Sequence, residues 1–242
     1  MQNLHTRQLR KNPIRTFEKK ILDRLYKPLV KWYTGRERPY TFRNIPITVL
    51  PGVFHPGLFY STKFLLDYLE FVNLQRKTIL ELGAGSGLIS VIAATEGGFV
   101  TATDIHHTSI MNIRINRDRN LSRIEQNDGR LEVIQSDLFQ NINKQTFDII
   151  VINPPYYNGK ISVPEDYAWY CGESFEYYKN LFSNISSYMH YETESIMILS
   201  DDCDLETIKK IAADHGLQLK LKLTRRNLIE KNFIFRIKPL DA

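Results

Sequence analysis

The sequence predicts an α/β fold, in which helices cover both faces of a mostly parallel β-sheet. Three observations support this prediction. Short apolar strand candidates alternate with helical segments along the chain. A glycine-rich loop joins one of these strands, at 78–82, to a helical segment at 88–94. Successive strand candidates also end on polar or acidic residues, and the carboxyl edge of a parallel sheet would bring those residues together.

The glycine loop reads Gly83-Ala84-Gly85-Ser86-Gly87. A loop of this kind between a strand and a helix lets the backbone approach a ligand closely. Dinucleotide-binding loops read G-x-G-x-x-G, whereas here the third glycine comes one residue early and Leu88 takes its place. Glu81, just before the loop, suits a cationic amino group better than a pyrophosphate. The loop therefore favours a ligand with an amino group over a dinucleotide.

Two further carboxylates follow the next strand candidates. Asp104 comes after the segment 99–103, and Asp137 comes after the segment 131–136. A carboxylate at the carboxyl end of a parallel strand points into the crevice where ribose hydroxyls bind. Either aspartate alone would equally fit a cap of the following helix. Together with Glu81 they form a pattern of acidic strand ends beside a glycine loop, which predicts a ribose-binding crevice.

The most unusual motif is Asn153-Pro154-Pro155-Tyr156, which follows the apolar strand candidate at 147–152. Two prolines cannot continue a strand ladder, and Pro154 keeps the preceding asparagine out of the helical region. The prolines have no N–H group, so the motif accepts more hydrogen bonds than it donates. An amide, two rigid carbonyls and an aromatic ring would suit a planar NH2 group. The alternative is a proline-rich turn with a packing tyrosine.

These motifs together resemble the class I S-adenosylmethionine-dependent methyltransferases. More narrowly, they are similar to the N-methyltransferases of the HemK type, which methylate the glutamine amide of peptide-chain release factors. The resemblance covers roughly residues 50–238 and implies a Rossmann-like fold with a seven-stranded, mostly parallel sheet, helices on both faces and S-adenosylmethionine as cofactor. The matching segments are 81–87, 103–104, 136–139, 147–156 and, more weakly, 168–173.

The resemblance also implies a set of cofactor-binding residues. The glycine loop and Glu81 would hold the methionine part, Asp104 the ribose hydroxyls, and Asp137 with its neighbour the adenine. Thr62 would reach the cofactor carboxylate, or instead cap the helix that begins near it. The full predicted set is Thr62, Glu81, Gly83, Ala84, Gly85, Gly87, Asp104, Ile105, Asp137, Leu138 and Asn153.

The catalytic residues that the resemblance implies are Asn153, Pro154, Pro155 and Tyr156. The side-chain oxygen of Asn153 and the carbonyl of Pro154 would accept hydrogen bonds from the acceptor NH2 group, and Tyr156 would stack on its plane. Orientation of this kind can lower a barrier by several kcal/mol. The chemistry needs no metal and no nucleophilic side chain, because the cofactor arrives activated.

The chain divides by charge into a basic extension at 1–50, predicted as a helix and a hairpin, and a methyltransferase domain at 51–242. Residues 1–38 hold 11 Lys or Arg against three acidic residues, a net charge of +8. The whole chain carries +5, so the remaining residues carry −3. The basic arm is either a contact to RNA, the ribosome or another polyanion, or a docking helix with a solvated face.

The sequence slightly favours a protein glutamine amide as methyl acceptor. The alternative methyl acceptor is an exocyclic amine of adenine or guanine in RNA or DNA. A third hypothesis is that the protein binds the cofactor and acts as an RNA-associated assembly factor without turnover. Two cysteines without zinc or disulfide spacing fit a reducing compartment. No signal peptide and no membrane span is predicted. A cytoplasmic protein is therefore expected.

Overall fold

The computed structural model describes residues 33–122, 129–227 and 230–240. The basic helix predicted within the first 32 residues lies outside the described part of the chain, and so does most of the proposed polyanion-binding arm. The regular elements follow in the order β1 (Arg38–Phe42), β2 (Ile45–Val49), α1 (Tyr60–Leu69), β3 (Thr78–Leu82), α2 (Leu88–Thr95), β4 (Phe99–Asp104), α3 (His107–Leu121), β5 (Arg130–Gln135), β6 (Phe147–Ile152), α4 (Glu176–Asn184), β7 (Met189–Ser200), α5 (Leu205–Asp214), β8 (Leu217–Arg226) and β9 (Lys231–Pro239).

The central sheet has seven strands in the order β5-β4-β3-β6-β7-β9-β8. Neighbouring strands from β5 through β7 pair in parallel, while β9 runs antiparallel to both β7 and β8. This architecture confirms the Rossmann-like fold predicted from the sequence. The strand order reverses between β3 and β6, and ligands of such sheets bind in the crevice at that point.

Both faces of the sheet are covered, as the continuous apolar strand β6 requires. Ile149 and Val151 belong to one core cluster, which contains buried side chains of α1, α2 and α3. Ile150 and Ile152 belong to the second cluster, which contains buried side chains of α4 and α5. Alternate side chains of β6 therefore pack into opposite cores. This holds the strand in place, and with it the position of the residues that follow its carboxyl end.

The first two strands form a separate antiparallel hairpin. The sequence predicts a hairpin at 40–50, and the structure confirms it with a slightly earlier start. Its two turn residues, Arg43 and Asn44, have φ of 46° and 67°, both left-handed, as the turns that match strand twist require. Ile47 and Val49 are buried in the core cluster shared with α1, α2 and α3. The hairpin thus packs on the same core as the sheet.

Three asparagines of α3 hold the hairpin in place. Asn112, Asn116 and Asn120 lie one helical turn apart and are buried. The Thr48 N–H donates to Asn116 Oδ1 at 2.8 Å, and Asn116 Nδ2 donates to the Thr48 carbonyl at 2.8 Å. The same Nδ2 also donates to the Ser86 carbonyl at 2.9 Å. One buried amide therefore joins β2 to the glycine loop.

The other two asparagines extend this contact along β2. The Leu50 N–H donates to Asn112 Oδ1 at 2.6 Å, and Asn120 Nδ2 donates to the Pro46 carbonyl at 3.0 Å. Among the strands that the structure describes, β2 pairs only with β1, so these amides supply partners for backbone groups on its other edge. The contact also fixes where the loop after β2 begins.

Replacing Asn116 by alanine is expected to lower the free energy of unfolding by about 2–3 kcal/mol. The Thr48 N–H would lose its acceptor, and the buried space left behind would not close. Urea denaturation followed by circular dichroism measures the change. Asn143→Ala is the control, since Asn143 is exposed, and we expect less than about 0.5 kcal/mol there. Equal losses in the two variants would contradict the structural role of Asn116.

Candidate functional site

A cavity of about 450 Å³ lies at the carboxyl edge of the sheet. It is bounded by the loops that follow β3, β4, β5 and β6, by the loop before α1, and by the turn between β8 and β9. Of the residues predicted from the sequence, those on its wall are Gly83, Asp104, Ile105, Asp137, Leu138, Asn153, Pro154, Pro155 and Tyr156.

The remaining predicted residues do not line the cavity, namely Thr62, Glu81, Ala84, Gly85 and Gly87. Helix α1 begins at Tyr60 with Phe59 as its N-cap, so the alternative role of Thr62 as a cap is wrong. Its neighbour Ser61 lies on the cavity wall instead.

The glycine loop needs glycine for two separate reasons. Gly83 and Gly87 have φ of 72° and 77°, which side chains rarely tolerate. At Gly87 an added Cβ would also lie 3.0 Å from side-chain atoms of Ile113 in α3. The Ala84 N–H donates to the Thr103 carbonyl at 2.8 Å, which ties the loop to β4. The loop therefore presents a fixed backbone to the cavity.

Glu81 lies in β3, two residues before Gly83, and is buried. Its carboxyl group accepts a hydrogen bond from the Ser90 hydroxyl of α2. Burial raises the pKa of Glu81 to about 8, although the Ser90 hydrogen bonds act in the opposite direction. Its predicted role, holding an amino group of the cofactor, remains a prediction.

The buried Glu81 carboxyl group should make stability fall as the pH rises. The folded protein keeps this proton up to a pKa of about 8, whereas the ordinary pKa is 4.5. Between these values the folded state binds more protons than the unfolded state, so the free energy of unfolding decreases with rising pH. Glu81→Gln keeps a hydrogen-bond acceptor for Ser90 and removes the ionisation. We expect this variant to gain at least about 1 kcal/mol relative to the wild type between pH 5 and pH 8.

Urea denaturation at pH 5 and pH 8 measures this difference. Glu192→Gln serves as the control, because Glu192 is exposed on β7. Its substitution should change the free energy of unfolding by the same amount at pH 5 and at pH 8. A Glu81→Gln protein whose pH profile parallels that of the wild type would refute the expectation.

Asp104 ends β4 and is 7% exposed. The Gly85 N–H donates to its Oδ2 at 2.9 Å, and the His106 N–H donates to its Oδ1 at 2.9 Å. Burial raises the pKa of Asp104, while these two hydrogen bonds favour the ionised form. The Ser109 side chain favours the ionised form as well, and a carboxylate can accept more hydrogen bonds than these three. Asp104 is thus a positioned acceptor for hydroxyl groups in the cavity.

Asp137 and Leu138 form a tight turn after β5. Leu138 has a left-handed φ of 48°, a conformation that is costly for a residue with a side chain. The Ser136 hydroxyl donates to the Leu138 carbonyl at 2.8 Å and accepts from the Asn141 N–H at 3.0 Å. These bonds hold the turn against the cavity, beside Ile105.

The Asn-Pro-Pro-Tyr motif follows β6 directly at the point where the strand order reverses. The Tyr178 hydroxyl donates to the Pro155 carbonyl at 2.9 Å, which fixes the backbone of the motif. Within the described chain no group donates to the Pro154 carbonyl. The Tyr156 hydroxyl donates to Asn153 Oδ1 at 3.3 Å. Tyr156 therefore also orients the amide, a role that the sequence does not reveal.

Three aromatic rings cover the cavity. Phe54 stacks on Phe59 with ring centroids 4.2 Å apart, and Trp169 lies 5.2 Å from Phe59 in an edge-on arrangement. The Tyr157 N–H donates to the Trp169 carbonyl at 2.9 Å, so the segment after the Asn-Pro-Pro-Tyr motif holds the tryptophan. Phe54, Phe59 and Trp169 all line the cavity. We name these three residues the aromatic roof.

Comparison with known proteins places this arrangement in a family. The family described as Methyltransferase small domain matches residues 44–169, which are 126 of the chain's 242 residues. The chain belongs to the methyltransferase small domain family. The methyltransferase class and the cofactor predicted from the sequence, S-adenosylmethionine, are confirmed at the level of this family.

Curated relatives of the chain carry different methyltransferase names. A "Bifunctional methyltransferase" of Rickettsia bellii is 45% identical over 35% of this chain and 15% of the relative. "Ribosomal RNA small subunit methyltransferase C" of Buchnera aphidicola is 30% identical over 47% of this chain and 33% of the relative. A "Putative protein N5-glutamine methyltransferase" of Methanocaldococcus jannaschii is 29% identical over 47% of this chain and 52% of the relative. The chain thus spans about half or less of these relatives.

Solved structures share the fold at low identity. A methyltransferase from Pyrococcus furiosus has a TM-score of 0.59 at 19% identity, covering 90% of this chain and 100% of that chain. The Thermus thermophilus 16S rRNA N2 G1207 methyltransferase, solved with AdoMet and guanosine, has a TM-score of 0.54 at 19% identity, covering 83% and 50%. These likenesses show the fold.

The residues of the cavity fit the family's cofactor. Asp104 offers carboxylate oxygens to hydroxyl groups, and Ile105 with Leu138 offers apolar surface to a flat ring. The volume of about 450 Å³ lies within the usual range for ligand pockets, roughly 300–1,000 Å³. No cluster of three or more metal-ligating side chains occurs among the described residues. No helix in the described ranges is long and apolar enough to span a membrane.

Two kinds of cavity residue escape prediction from the sequence. The segment 168–173 is only a weak motif match, yet it supplies Trp169 of the aromatic roof. Glu230 has no motif around it, and it reaches the cavity because β9 lies two strands from β6. The weak match does not single out Trp169, and no motif marks Glu230 as part of the site.

Proposed function

We propose that this protein transfers a methyl group from S-adenosylmethionine to a planar nitrogen. The observation that carries the proposal is the placement of Asn153-Pro154-Pro155-Tyr156 on the wall of the same cavity as Asp104. Acceptors for a planar NH2 group and an acceptor for ribose hydroxyls then face one space at the strand reversal.

The residues of the chain would bind and orient the acceptor group. S-adenosylmethionine supplies an activated methyl group when bound. Asn153 Oδ1 and the Pro154 carbonyl would accept the two N–H bonds of the acceptor, which directs its lone pair into the cavity. Both acceptors also stabilise the positive charge that develops on the nitrogen. The Tyr156 hydroxyl would keep Asn153 in the required orientation, and the aromatic roof would exclude water.

The sequence favours a narrower version of this function, that of the HemK type, in which the methyl acceptor is a protein glutamine amide. The name of the Methanocaldococcus jannaschii relative agrees with that form, whereas the name of the Buchnera aphidicola relative points to RNA. We therefore propose the chemistry that both share, transfer to a planar NH2 group. Contact between residues 1–38 and RNA or the ribosome belongs to the same proposal.

Methyl transfer in a cell extract tests this function. Purified protein is incubated with labelled S-adenosylmethionine and with extract that has been treated with ribonuclease, with protease, or with neither. We expect label in a macromolecular fraction that one of the two enzymes removes. Cofactor binding measured by calorimetry without label in any fraction would overturn the proposal and favour the assembly factor without turnover.

A further inference from the structure

The loop at 51–59 carries two of the three residues of the aromatic roof, Phe54 and Phe59. It joins β2 to α1 and lies against the glycine loop, because a Cβ added at Gly85 would come 3.8 Å from Phe54 Cβ. We name residues 51–59 the roof loop. Its position decides whether the cavity is covered, so the contacts that hold the roof loop in place bear on cofactor binding.

His55 lies in the middle of the roof loop and is 3% exposed. Its ring packs edge-on against two phenol rings, with centroids 5.6 Å from that of Tyr33 and 5.4 Å from that of Tyr40 in β1. A Cβ added at Gly57 would lie 2.6 Å from the Tyr40 ring and 3.1 Å from the His55 ring. The roof loop therefore packs closely on the hairpin, with His55 between them.

The hydrogen bonds of His55 hold the roof loop only while its ring is neutral. The Gly57 N–H donates to His55 Nδ1 at 3.1 Å, and the Leu58 N–H donates to the His55 carbonyl at 3.1 Å. A neutral imidazole has one accepting nitrogen, and because this is Nδ1, the ring proton lies on Nε2. Nε2 is buried without a hydrogen-bond partner in the described part of the chain. A protonated ring would donate from both nitrogens, so Nδ1 could no longer accept from Gly57.

Among the described residues, the groups that face the His55 ring are two phenols, those of Tyr33 and Tyr40, and a cation. The cation is Arg38 of β1, whose Cζ lies 4.3 Å from the centroid of the Tyr33 ring. Burial lowers the pKa of His55, a hydrogen bond with its own backbone acts in the opposite direction, and the charge of Arg38 lowers the pKa further. An imidazolium at this position would therefore be buried on the same side of the hairpin as a second positive charge.

We propose that His55 is an acid-sensitive latch, such that protonation of its ring releases the roof loop and moves Phe54 and Phe59 away from the cavity. His55 is a positioning residue, because it acts on the cavity through these two phenylalanines. The proposal rests on the proposed function only in taking S-adenosylmethionine as the ligand beneath the roof loop.

Acid should open the roof loop, and neutral pH should close it. The ring has its ordinary pKa of 6.5 when the loop is open and a lower pKa when the loop is closed. Below pH 6.5 the open loop thus binds more protons, so closure is most favourable above this value and weakens as the pH falls. From pH 7.5 to pH 5.5 the ratio of open to closed loop should rise by at most about tenfold. A cofactor that leaves only from the open loop should dissociate faster by the same factor.

Amide hydrogen exchange of the full-length protein tests the latch without cofactor or methyl acceptor. Exchange in the roof loop is compared at pH 5.5 and pH 7.5 after correction for the pH dependence of the intrinsic rate, and the amides of α5 report changes in global stability. We expect the corrected exchange of the roof loop to be about three- to tenfold faster at pH 5.5, without a matching change in α5. Equal corrected exchange of the roof loop at the two pH values would overturn the latch.

Two substitutions separate the charge of His55 from its packing. His55→Asn keeps a side-chain acceptor for the N–H two residues on and cannot be protonated, whereas His55→Phe keeps a ring against Tyr33 and Tyr40. Both variants should lose the pH dependence of exchange in the roof loop. His215→Asn is the matched control, since His215 is exposed at the end of α5, and it should keep the wild-type pH dependence. A pH dependence that survives in both His55 variants would overturn the assignment to His55.

Dissociation of S-adenosylmethionine, followed by stopped flow, tests the consequence for the cavity. We expect the dissociation rate constant of the wild type to rise about three- to tenfold from pH 7.5 to pH 5.5, and that of His55→Asn to change by less than about twofold. Acid opening of the roof loop without faster dissociation would overturn the control of the cofactor by the latch. A protein that binds no cofactor at either pH would contradict the proposed function, whereas the exchange measurement would still decide whether His55 is a latch.

Discussion

Replacing Asn153 by alanine is expected to lower kcat about 10³-fold while the Kd for S-adenosylmethionine changes by less than about threefold. The variant loses the side-chain oxygen that would hold one N–H of the acceptor and face its developing positive charge. Only the Pro154 carbonyl would remain to orient the nitrogen. Because Asn153 lies at the end of β6 and Asp104 at the end of β4, the change should leave ribose binding intact.

Single-turnover kinetics and isothermal titration calorimetry separate the two quantities. Asn158→Ala is a matched control, because Asn158 belongs to the following segment, is exposed and only donates to the Glu173 carbonyl at 3.0 Å. We expect it to retain wild-type kcat. An Asn153→Ala enzyme that turns over as fast as Asn158→Ala would refute the mechanism proposed for the motif.

Much of the fold could be predicted because its signals are local. Strand β6 is buried on both faces along Ile149–Ile152, and this run of four apolar residues shows it in the sequence. The glycine loop marks the junction of β3 and α2 in the sequence, because the left-handed backbone there favours glycine. Parallel pairing aligns the carboxyl ends of β3, β4 and β6. The polar and acidic residues at those ends therefore meet at one edge of the sheet.

What the sequence does not reveal depends on contacts between distant segments. Asn112, Asn116 and Asn120 look like poor helix formers on a polar helix, yet their partners are the backbone groups of β2. Hydrophobic periodicity carries no information about such a contact. The amides can be interpreted only once α3 and the hairpin are seen to face each other.

The site shows the same limit. The sequence identifies acidic residues at strand ends, but not which of them lines the cavity: Asp104 lies on the wall, whereas Glu81 is buried in β3 and does not line it. Glu230 joins Asn153 only through the order of β6, β7 and β9. Motifs therefore predict the cavity residues that lie next to them in the sequence, but not one such as Glu230 that a distant strand brings to the wall.

Asp104→Ala is expected to raise the Kd for S-adenosylmethionine about 100-fold or more. A carboxylate that accepts two hydroxyl hydrogen bonds contributes roughly 1.5–3 kcal/mol through each of them. The backbone bonds from Gly85 and His106 hold this carboxylate in position before any ligand arrives, so little entropy is lost on binding. Isothermal titration calorimetry measures the affinity, and Asp118→Ala, on the exposed surface of α3, should leave it unchanged.

Asp104 also supports the glycine loop, so a loss of affinity alone would not distinguish a direct contact from a distorted loop. A cofactor analogue without the two ribose hydroxyls separates these effects. If Asp104 binds the hydroxyls, their removal weakens binding to the wild type about 100-fold and weakens binding to Asp104→Ala only slightly. If instead the substitution only distorts the loop that Gly85 anchors, removing the hydroxyls weakens binding to both proteins equally. That second pattern would contradict the ribose contact while leaving the role of Asp104 in shaping the loop intact.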